Sequence, residues 1–420
     1  MNLRFILLLS LIANIALGAD LKTITAEQFL SNNSSPEAKI IVDYITHQFD
    51  GKTVTQAEID NLWNNKEARN EQHLIRFQIV KQKLYADTFD VSCLYFIRLL
   101  QYFQEFLQKY KVNDVDFIVY GRDEITPNNN LDQKSLAIPA FMMSKNLKAD
   151  YEKDKLLLPD AHMLMKSWGE LAKKIEIANT LNPWDEKMNK IFWRGASTGS
   201  AAENLYNIAN FDKFARLKLV ILSKLYPDLI DAKLNRYPDF SNDKDGDNLK
   251  KILELLFGDD NEMIKEVDHL KYKYLIAMDG NTCPWVRVPW IMLSNSVLLK
   301  QESNKIEWFY SSLKPYVHYV PVREDLTDIF KQIEWMKEHD LELKQISLNA
   351  QNFVKNNLMP EHIDAHMTII LNEYHNIQQD DKIIATLTPA DDVISVKSVA
   401  MVIIKRIKKY FIKLYSNYFE

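Results

Sequence analysis

The chain has 420 residues, 47% of them hydrophobic and 26% charged, with a net charge of -5 and a pI near 6.0. This balance excludes a disordered or fibrous protein, and without a basic stripe it excludes nucleic acid as a partner. The length fits two or three domains, each large enough to bury a core. Two cysteines, Cys93 and Cys283, with no CxxC spacing, exclude a disulfide framework and a thiolate zinc site. They either pair or stay separate as buried thiols.

The N-terminus reads as a secretory signal or an anchor over residues 1–18: Arg4, an apolar run over 5–17, then the small residues of Ala16-Leu17-Gly18. Residues 19–73 form an extension of short polar helices. Asn32-Asn33-Ser34-Ser35 contains two overlapping N-glycosylation sequons. Over 74–85 apolar residues recur at helical spacing. The pattern repeats over 94–110, with Leu94, Ile97, Leu100, Phe103 and Leu107 on one face, so two amphipathic helices are predicted.

The period then shortens. Val115-Asp116-Phe117-Ile118-Val119-Tyr120 ends in Gly121-Arg122-Asp123, and Lys190-Ile191-Phe192-Trp193 ends in Arg194-Gly195. Tyr274-Leu275-Ile276-Ala277-Met278 ends in Asp279-Gly280, Ser296-Val297-Leu298-Leu299 in Lys300, and His318-Tyr319-Val320 in Pro321-Val322. Helical stretches are predicted between and after these runs, at 212–225, 248–256, 285–293, 325–338 and 342–356. Strands alternating with helices predict parallel sheets of the α/β class. Ligands of such sheets bind beyond the carboxyl ends of the strands, where the polar residues just named stand.

Several residue patterns carry possible chemistry. In Trp193-Arg194-Gly195-Ala196-Ser197-Thr198-Gly199-Ser200 a strand enters a loop of small hydroxyl residues. That is either a tight turn or a place where backbone N–H groups and hydroxyls meet an oxyanion. Asp123, beside Arg122 past a strand, is either half of an ion pair or a general base. Arg287, at the head of a helix, is either a surface charge or a forked clamp for a diphosphate. Glu307 is either a surface charge or the acceptor of two hydrogen bonds from a ribose diol. His362 and His366 are four apart, but His-Ile-Asp-Ala-His is not HExxH. Residues 243–248 are acidic, with glycine misplaced for a calcium loop. No isolated DxD follows a strand, against a metal-bound nucleotide sugar. Residues 396–418 read as a basic amphipathic helix that either packs on the body or lies on an anionic membrane.

These segments, in this order, resemble glycosyltransferase family 90, which holds Rumi-type protein O-glucosyltransferases, capsule-associated enzymes and lipopolysaccharide-modifying relatives. The likeness covers roughly 74–375. It rests on Phe117-Ile118-Val119-Tyr120-Gly121-Arg122-Asp123, Ile138-Pro139-Ala140-Phe141-Met142-Met143-Ser144-Lys145 and Phe192-Trp193-Arg194-Gly195. The run Tyr274 to Gly280, Arg287, Glu307-Trp308-Phe309-Tyr310 and the Leu313-Lys314-Pro315 to Val320-Pro321-Val322 stretch complete it.

The resemblance implies a GT-B fold: two Rossmann-like halves, 74–180 on the acceptor side and 181–358 holding the donor, with C-terminal helices and tail over 359–420. It implies inverting transfer of a hexose or pentose, glucose or xylose, from a UDP-sugar to a hydroxyl of a glycan, lipopolysaccharide or protein. No cofactor and no catalytic metal are expected. Asp123 would be the base, and Arg194, Gly195, Ser197, Thr198 and Arg287 would surround the diphosphate. Glu307 would hold the ribose, with Ser303 near it. Arg216 would supply a charge that many relatives place directly after Trp-Arg-Gly. A secretory-pathway lumen, or a membrane-associated or exported state in a bacterium, is the expected location. An inactive glycan- or protein-binding module on the same fold is the alternative.

Overall fold

The computed structural model of the chain describes residues 21–88, 93–125, 138–199, 213–236, 244–257, 264–380 and 382–393. The proposed signal over 1–18 and the amphipathic tail over 396–418 lie outside the described residues; of the acidic stretch 243–248 only Asp243 does, and the rest is not a loop but the first turn of the helix Lys244–Phe257.

Four short helices come first: α1 (Ala26–Asn32), α2 (Pro36–His47), α3 (Gln56–Asn64) and α4 (Lys66–Glu71). Their starts are written locally. Thr25 and Thr55 form capping boxes with Gln28 and Glu58, Pro36 takes the first turn of α2, and the Asn65 side chain accepts from the first N–H groups of α4.

The helix expected over 74–85 is instead a hairpin, β1 (Leu74–Val80) and β2 (Lys83–Thr88). Within β1 the effective period is two. Phe77 packs on one face against Phe103 and Phe117, with ring centroids 5.1 and 5.7 Å away. Arg76 and Gln78 point the other way and are buried all the same. They are satisfied by Asp116 of the neighbouring strand, which accepts from Arg76 Nε and Nη2 at 2.8 and 2.6 Å and from Gln78 Nε2 at 2.7 Å. Buried polar residues at alternate positions blurred the strand signature. The turn hides as well: Lys81 and Gln82 take φ of 50° and 63° without glycine or asparagine. Asp114 accepts from the Lys81 N–H, and Gln82 Nε2 donates to the Tyr110 carbonyl.

Helix α5 (Leu94–Phe106) follows as expected, although its buried face is Phe96, Leu99, Leu100, Phe103 and Phe106 rather than the stripe through Leu94. Strands β3 (Val115–Tyr120), β4 (Phe141–Met142), β5 (Lys145–Asn146) and β6 (Leu156–Leu157) come next, then α6 (Lys166–Leu181). The alternating second half contains β7 (Met188–Ala196), α7 (Ala215–Leu225), β8 (Ile230–Arg236), α8 (Lys244–Phe257), α9 (Glu266–His269) and β9 (Tyr272–Ala277). It continues with α10 (Arg287–Leu293), β10 (Val297–Glu302), β11 (Lys305–Ile306) and β12 (Val320–Arg323). Helices α11 (Ile329–Glu338), α12 (Asp340–Asn357) and α13 (Pro360–Ile377), then β13 (Thr388–Pro389) and α14 (Ala390–Val393), complete the chain.

The first sheet is mixed, in the order β13-β2-β1-β3-β4-β6, and the second is wholly parallel, in the order β12-β10-β9-β7-β8. The protein is thus of mixed α/β class. In the parallel sheet alternate residues enter opposite cores: Phe192, Leu275 and Leu298 face one, Ile191, Trp193, Ile276 and Leu299 the other. Burial on both faces explains their uninterrupted apolar runs. Read in chain order, this sheet begins at β7, steps outward to β8, then reverses past β7 to β9, β10 and β12. The reversal lies between β7 and β9, and a crevice opens at such a switch point, beyond the strand ends.

The first sheet and its helices share one core with the N-terminal extension and with α13, whose Tyr374 hydroxyl donates to the Pro139 carbonyl at 2.9 Å. The two sheets are joined by a short ribbon in which β5 pairs antiparallel with β11, Asn146 opposite Lys305. Among the described residues no helix is long and apolar enough to cross a membrane. Cys93 and Cys283 are both free thiols.

Candidate active site

The switch point gathers most of the expected donor-side residues. Strand β7 runs into Ser197, Thr198 and Gly199, and β9 into Met278, Asp279 and Gly280. Arg216, in the first turn of α7, stitches the two exits together. Its Nε donates to the Asp279 carbonyl at 2.9 Å, its Nη2 to the Met278 carbonyl at 2.9 Å, and its Nη1 to the Ala196 carbonyl and Thr198 Oγ1 at 2.9 and 2.5 Å. Gly199, at φ 112°, donates its N–H to the Asn281 side-chain oxygen Oδ1 at 3.1 Å, a second tie between the two loops. Gly280 is required by space, because a Cβ there would lie 2.7 Å from Thr198 Oγ1 and 2.9 Å from Arg216 Nη2.

Arg287 begins α10 and donates through Nη1 to the Arg194 carbonyl at 2.8 Å. It is half-buried, and no carboxylate among the described residues forms an ion pair with it. Burial, and then the nearby Arg216 charge, push its guanidinium down to about 10. Two guanidinium groups held close in a crevice repel each other unless an anion joins them. Ser197 is fully buried, its Oγ without a partner, and its N–H donates to the Arg236 carbonyl at 2.9 Å.

Three expected residues are placed differently. The Arg194 side chain turns away along the sheet, where Nη2 pairs with Asp231 Oδ1 at 2.8 Å and Nη1 donates to the Asp231 carbonyl at 3.0 Å. Its guanidinium also lies 4.3 Å over the Phe192 ring. What Arg194 presents to the crevice is its carbonyl. Gly195 admits no side chain because a Cβ would strike the Trp193 ring at 2.5 Å. Glu307 is 0% exposed and accepts from the Tyr310 hydroxyl at 3.2 Å, its other oxygen unpartnered. Burial and then the Asp160 carboxylate push it well above the usual range. Ser303 does reach the crevice: its hydroxyl donates to Asp279 Oδ2 at 2.5 Å, while burial pushes the Asp279 carboxyl up.

Asp123 belongs to the first sheet. It follows β3 in a turn entered through Gly121, where a Cβ would meet the His73 carbonyl oxygen at 2.5 Å. The Tyr95 hydroxyl donates to Asp123 Oδ1 at 3.0 Å, and the tyrosine proton is held more tightly through burial and then that carboxylate. The next residue, Glu124, feels the Lys305 charge, and Lys305 Nζ donates to the Gly280 and Asn281 carbonyls at 2.9 and 2.7 Å. The turn that carries Asp123 thus lies near the loop between β9 and α10. Trp285 of that loop approaches Tyr95, ring centroids 6.3 Å apart, two residues before Arg287.

Sequence reasoning passed over Tyr95, Asp160, His162, Trp285 and Lys305. None of these carries a local signal of the kind that marked Asp123 and Asp279, a charge at a strand end. The His362 and His366 pair is a core feature: the His366 ring lies 4.7 Å from Phe29 and 4.9 Å from Trp308, both its nitrogens unpartnered. Among the described residues no group of three or more His, Cys, Asp or Glu could hold a metal ion.

The family model described as Glycosyl transferase family 90 matches residues 48–415. Protein O-glucosyltransferase 2 of Danio rerio is 32% identical over 195 residues, 46% of this chain and 34% of that protein. Protein O-glucosyltransferase 3 of Mus musculus is 34% identical over 196 residues, 47% of this chain and 34% of that protein. The chain thus spans about a third of the length of these relatives. With Protein O-glucosyltransferase 1 of Bos taurus the match is 24% over 310 residues, 71% of each chain.

Proposed function

The chain belongs to glycosyl transferase family 90, and we propose that it is an inverting, metal-independent glycosyltransferase of GT-B type, with the donor-binding half built on the parallel sheet. The donor is a UDP-sugar, glucose or xylose, and the acceptor a hydroxyl. The observation that carries this reading is the pair Arg216 and Arg287 near one another at the β7/β9 switch point, with Asp123 linked toward it through Tyr95, which donates to Asp123 and approaches Trp285. Strand order alone directs a ligand to that crevice, and its cations select an anion.

The chemistry follows. The acceptor hydroxyl gives its proton to Asp123 as its oxygen bonds to the anomeric carbon from the face opposite the leaving group. The bond from that carbon to the phosphate oxygen breaks, and UDP departs with the electron pair. The growing charge on the diphosphate is met by Arg287 and Arg216 and by the Thr198 hydroxyl, with the buried Ser197 hydroxyl reached once the donor loop opens. Tyr95 donates to Oδ1 of Asp123, which turns Oδ2 toward the incoming hydroxyl. Arg194 shapes the wall by holding β7 to β8 and by fixing Arg287 through its carbonyl. Glu307, fully buried, steadies its own segment by accepting from the Tyr310 hydroxyl. Such an enzyme belongs in a lumen supplied with nucleotide sugars. Release of UDP from a panel of UDP-sugars tests the reading: turnover of one donor supports it, and release from none rejects it.

A further inference from the structure

Three aromatic rings close a triangle between Asp123 and Arg287. Tyr95 stands on α5, His162 follows β6, and Trp285 precedes α10. Their ring centroids lie 6.2 Å apart for Tyr95 and His162, 6.3 Å for Tyr95 and Trp285, and 6.3 Å for His162 and Trp285. All three are half-buried, so each is held by its neighbours and still reaches solvent. The triangle draws on both sheets, since Tyr95 and His162 belong to the first and Trp285 to the parallel one.

Two features distinguish it from incidental packing. Trp285 sits at φ 51°, a left-handed conformation that a bulky residue holds only where its surroundings impose it, and such strain gathers at ligand clamps. His162 is oriented by a fully buried carboxylate: Asp160 Oδ1 lies 3.0 Å from His162 Nδ1 and accepts from the His162 N–H at 2.7 Å. A carboxylate at Nδ1 fixes the proton there and leaves Nε2 as an acceptor.

We propose that this triangle is the acceptor subsite and that it recognises a pyranose ring, so that the alcohol attacked at the anomeric centre is carried by a glycan. The inference rests on the reading of the crevice as that of a glycosyltransferase. A pyranose presents a C–H face and a rim of hydroxyls. The negative π faces of Tyr95 and Trp285 attract the first, and His162 Nε2 accepts from the second. A further hydroxyl of the same sugar then reaches Asp123. A serine on a protein surface offers no rigid apolar face for such a platform.

The test measures steady-state UDP release with methyl pyranosides, with oligosaccharides and with folded serine-bearing protein domains as acceptors. UDP affinity of every variant, measured by calorimetry, verifies its folding. Transfer to sugar acceptors is expected, with acceptor KM raised at least ~10-fold in Trp285→Ala and in His162→Ala and largely restored in Trp285→Phe. Asp160→Asn, acting through His162, should raise KM less than His162→Ala does. Transfer by the wild-type chain to protein domains alone, or an acceptor KM unchanged in both alanine variants, overturns the inference while leaving the donor reading intact. Failure of the wild-type chain to bind UDP overturns the donor reading itself.

Discussion

Arg287 Nη1 donates to the carbonyl oxygen of Arg194 at 2.8 Å, which ties the first residue of α10 to the end of β7 across the switch point. The bond uses one of five N–H donors and aims the rest of the fork. Arg287→Ala should therefore weaken UDP binding at least ~10-fold, and Arg287→Lys should recover only part of the loss, because an ammonium keeps the charge but not the fork. Calorimetric titration with UDP checks this. Equal affinities in wild type and Arg287→Ala would remove Arg287 from the donor site.

Asp123→Asn separates binding from chemistry. The amide keeps the size of the side chain and can still accept from Tyr95, but it cannot take a proton. Turnover should fall roughly 100-fold or more with UDP affinity unchanged. Tyr95→Phe keeps the carboxylate and loses only the bond that orients it, so it should slow turnover far less. A kinetic comparison of the two variants decides: normal turnover in Asp123→Asn would require another base.

Gly280→Ala probes the crevice without touching a charge. The added methyl would be forced to within 2.7 Å of Thr198 Oγ1 and 2.9 Å of Arg216 Nη2, closer than any real contact allows, so the stitch across the switch point must open. UDP affinity should fall several-fold, and the melting midpoint by a few degrees, since overpacking typically costs about 1–3 kcal/mol. Unchanged affinity would mean that the Arg216 bridge is not what shapes the donor site.

How much of this was legible in the sequence depended on which interactions carried each element. The parallel sheet was readable because strands buried on both faces leave long apolar runs; similar runs ending in charge marked Arg194 there and Asp123 in the first sheet, while Arg287 was marked by its place at the head of a helix after a strand. Roles were harder to read than positions. Arg194 stands at the expected strand end, yet Asp231 on β8 claims its side chain, and nothing local to Arg194 announces that partner. Glu307 likewise follows its expected segment, but tertiary packing buries it beside Asp160. The β1–β2 hairpin failed for the same reason at a larger scale: its inward polar residues are satisfied by Asp116, 40 residues from Arg76. The aromatic triangle was invisible because its corners come from three distant segments.

That hairpin carries its own prediction. Asp116 is 0% exposed and accepts from Arg76, Gln78 and Gln56, the last at 2.8 Å from Nε2. Asp116→Ala would leave the Arg76 guanidinium buried with only the more exposed Asp60, 2.7 Å away. The loss should be about 3–5 kcal/mol, the usual consequence of breaking one side of a buried pair. Urea unfolding measures it. A loss below about 1 kcal/mol would show that water or Asp60 alone satisfies Arg76.

His366 gives the fold a predictable response to acid. The ring is fully buried between Phe29 and Trp308 with neither nitrogen bonded, and burial lowers its pKa from 6.5 to about 3. In the unfolded chain the same imidazole titrates near 6.5. Between these values the unfolded state takes up a proton that the folded state refuses. The contribution is therefore fully present above about 6.5 and declines as pH falls toward 3, by about 1.4 kcal/mol per unit. His269, also lowered to about 3, adds a parallel slope, while the raised carboxyls of Glu307 and Asp279 act oppositely. The difference between wild type and His366→Phe largely cancels those other groups. At pH 7.5 the variant should be no less stable than wild type, because it removes an unsatisfied polar ring from an aromatic pocket. At pH 5.0 its relative stability should have grown by about 2 kcal/mol. Urea unfolding at the two pH values measures the gap, and a gap that stays constant would show that His366 is already partnered in the folded protein.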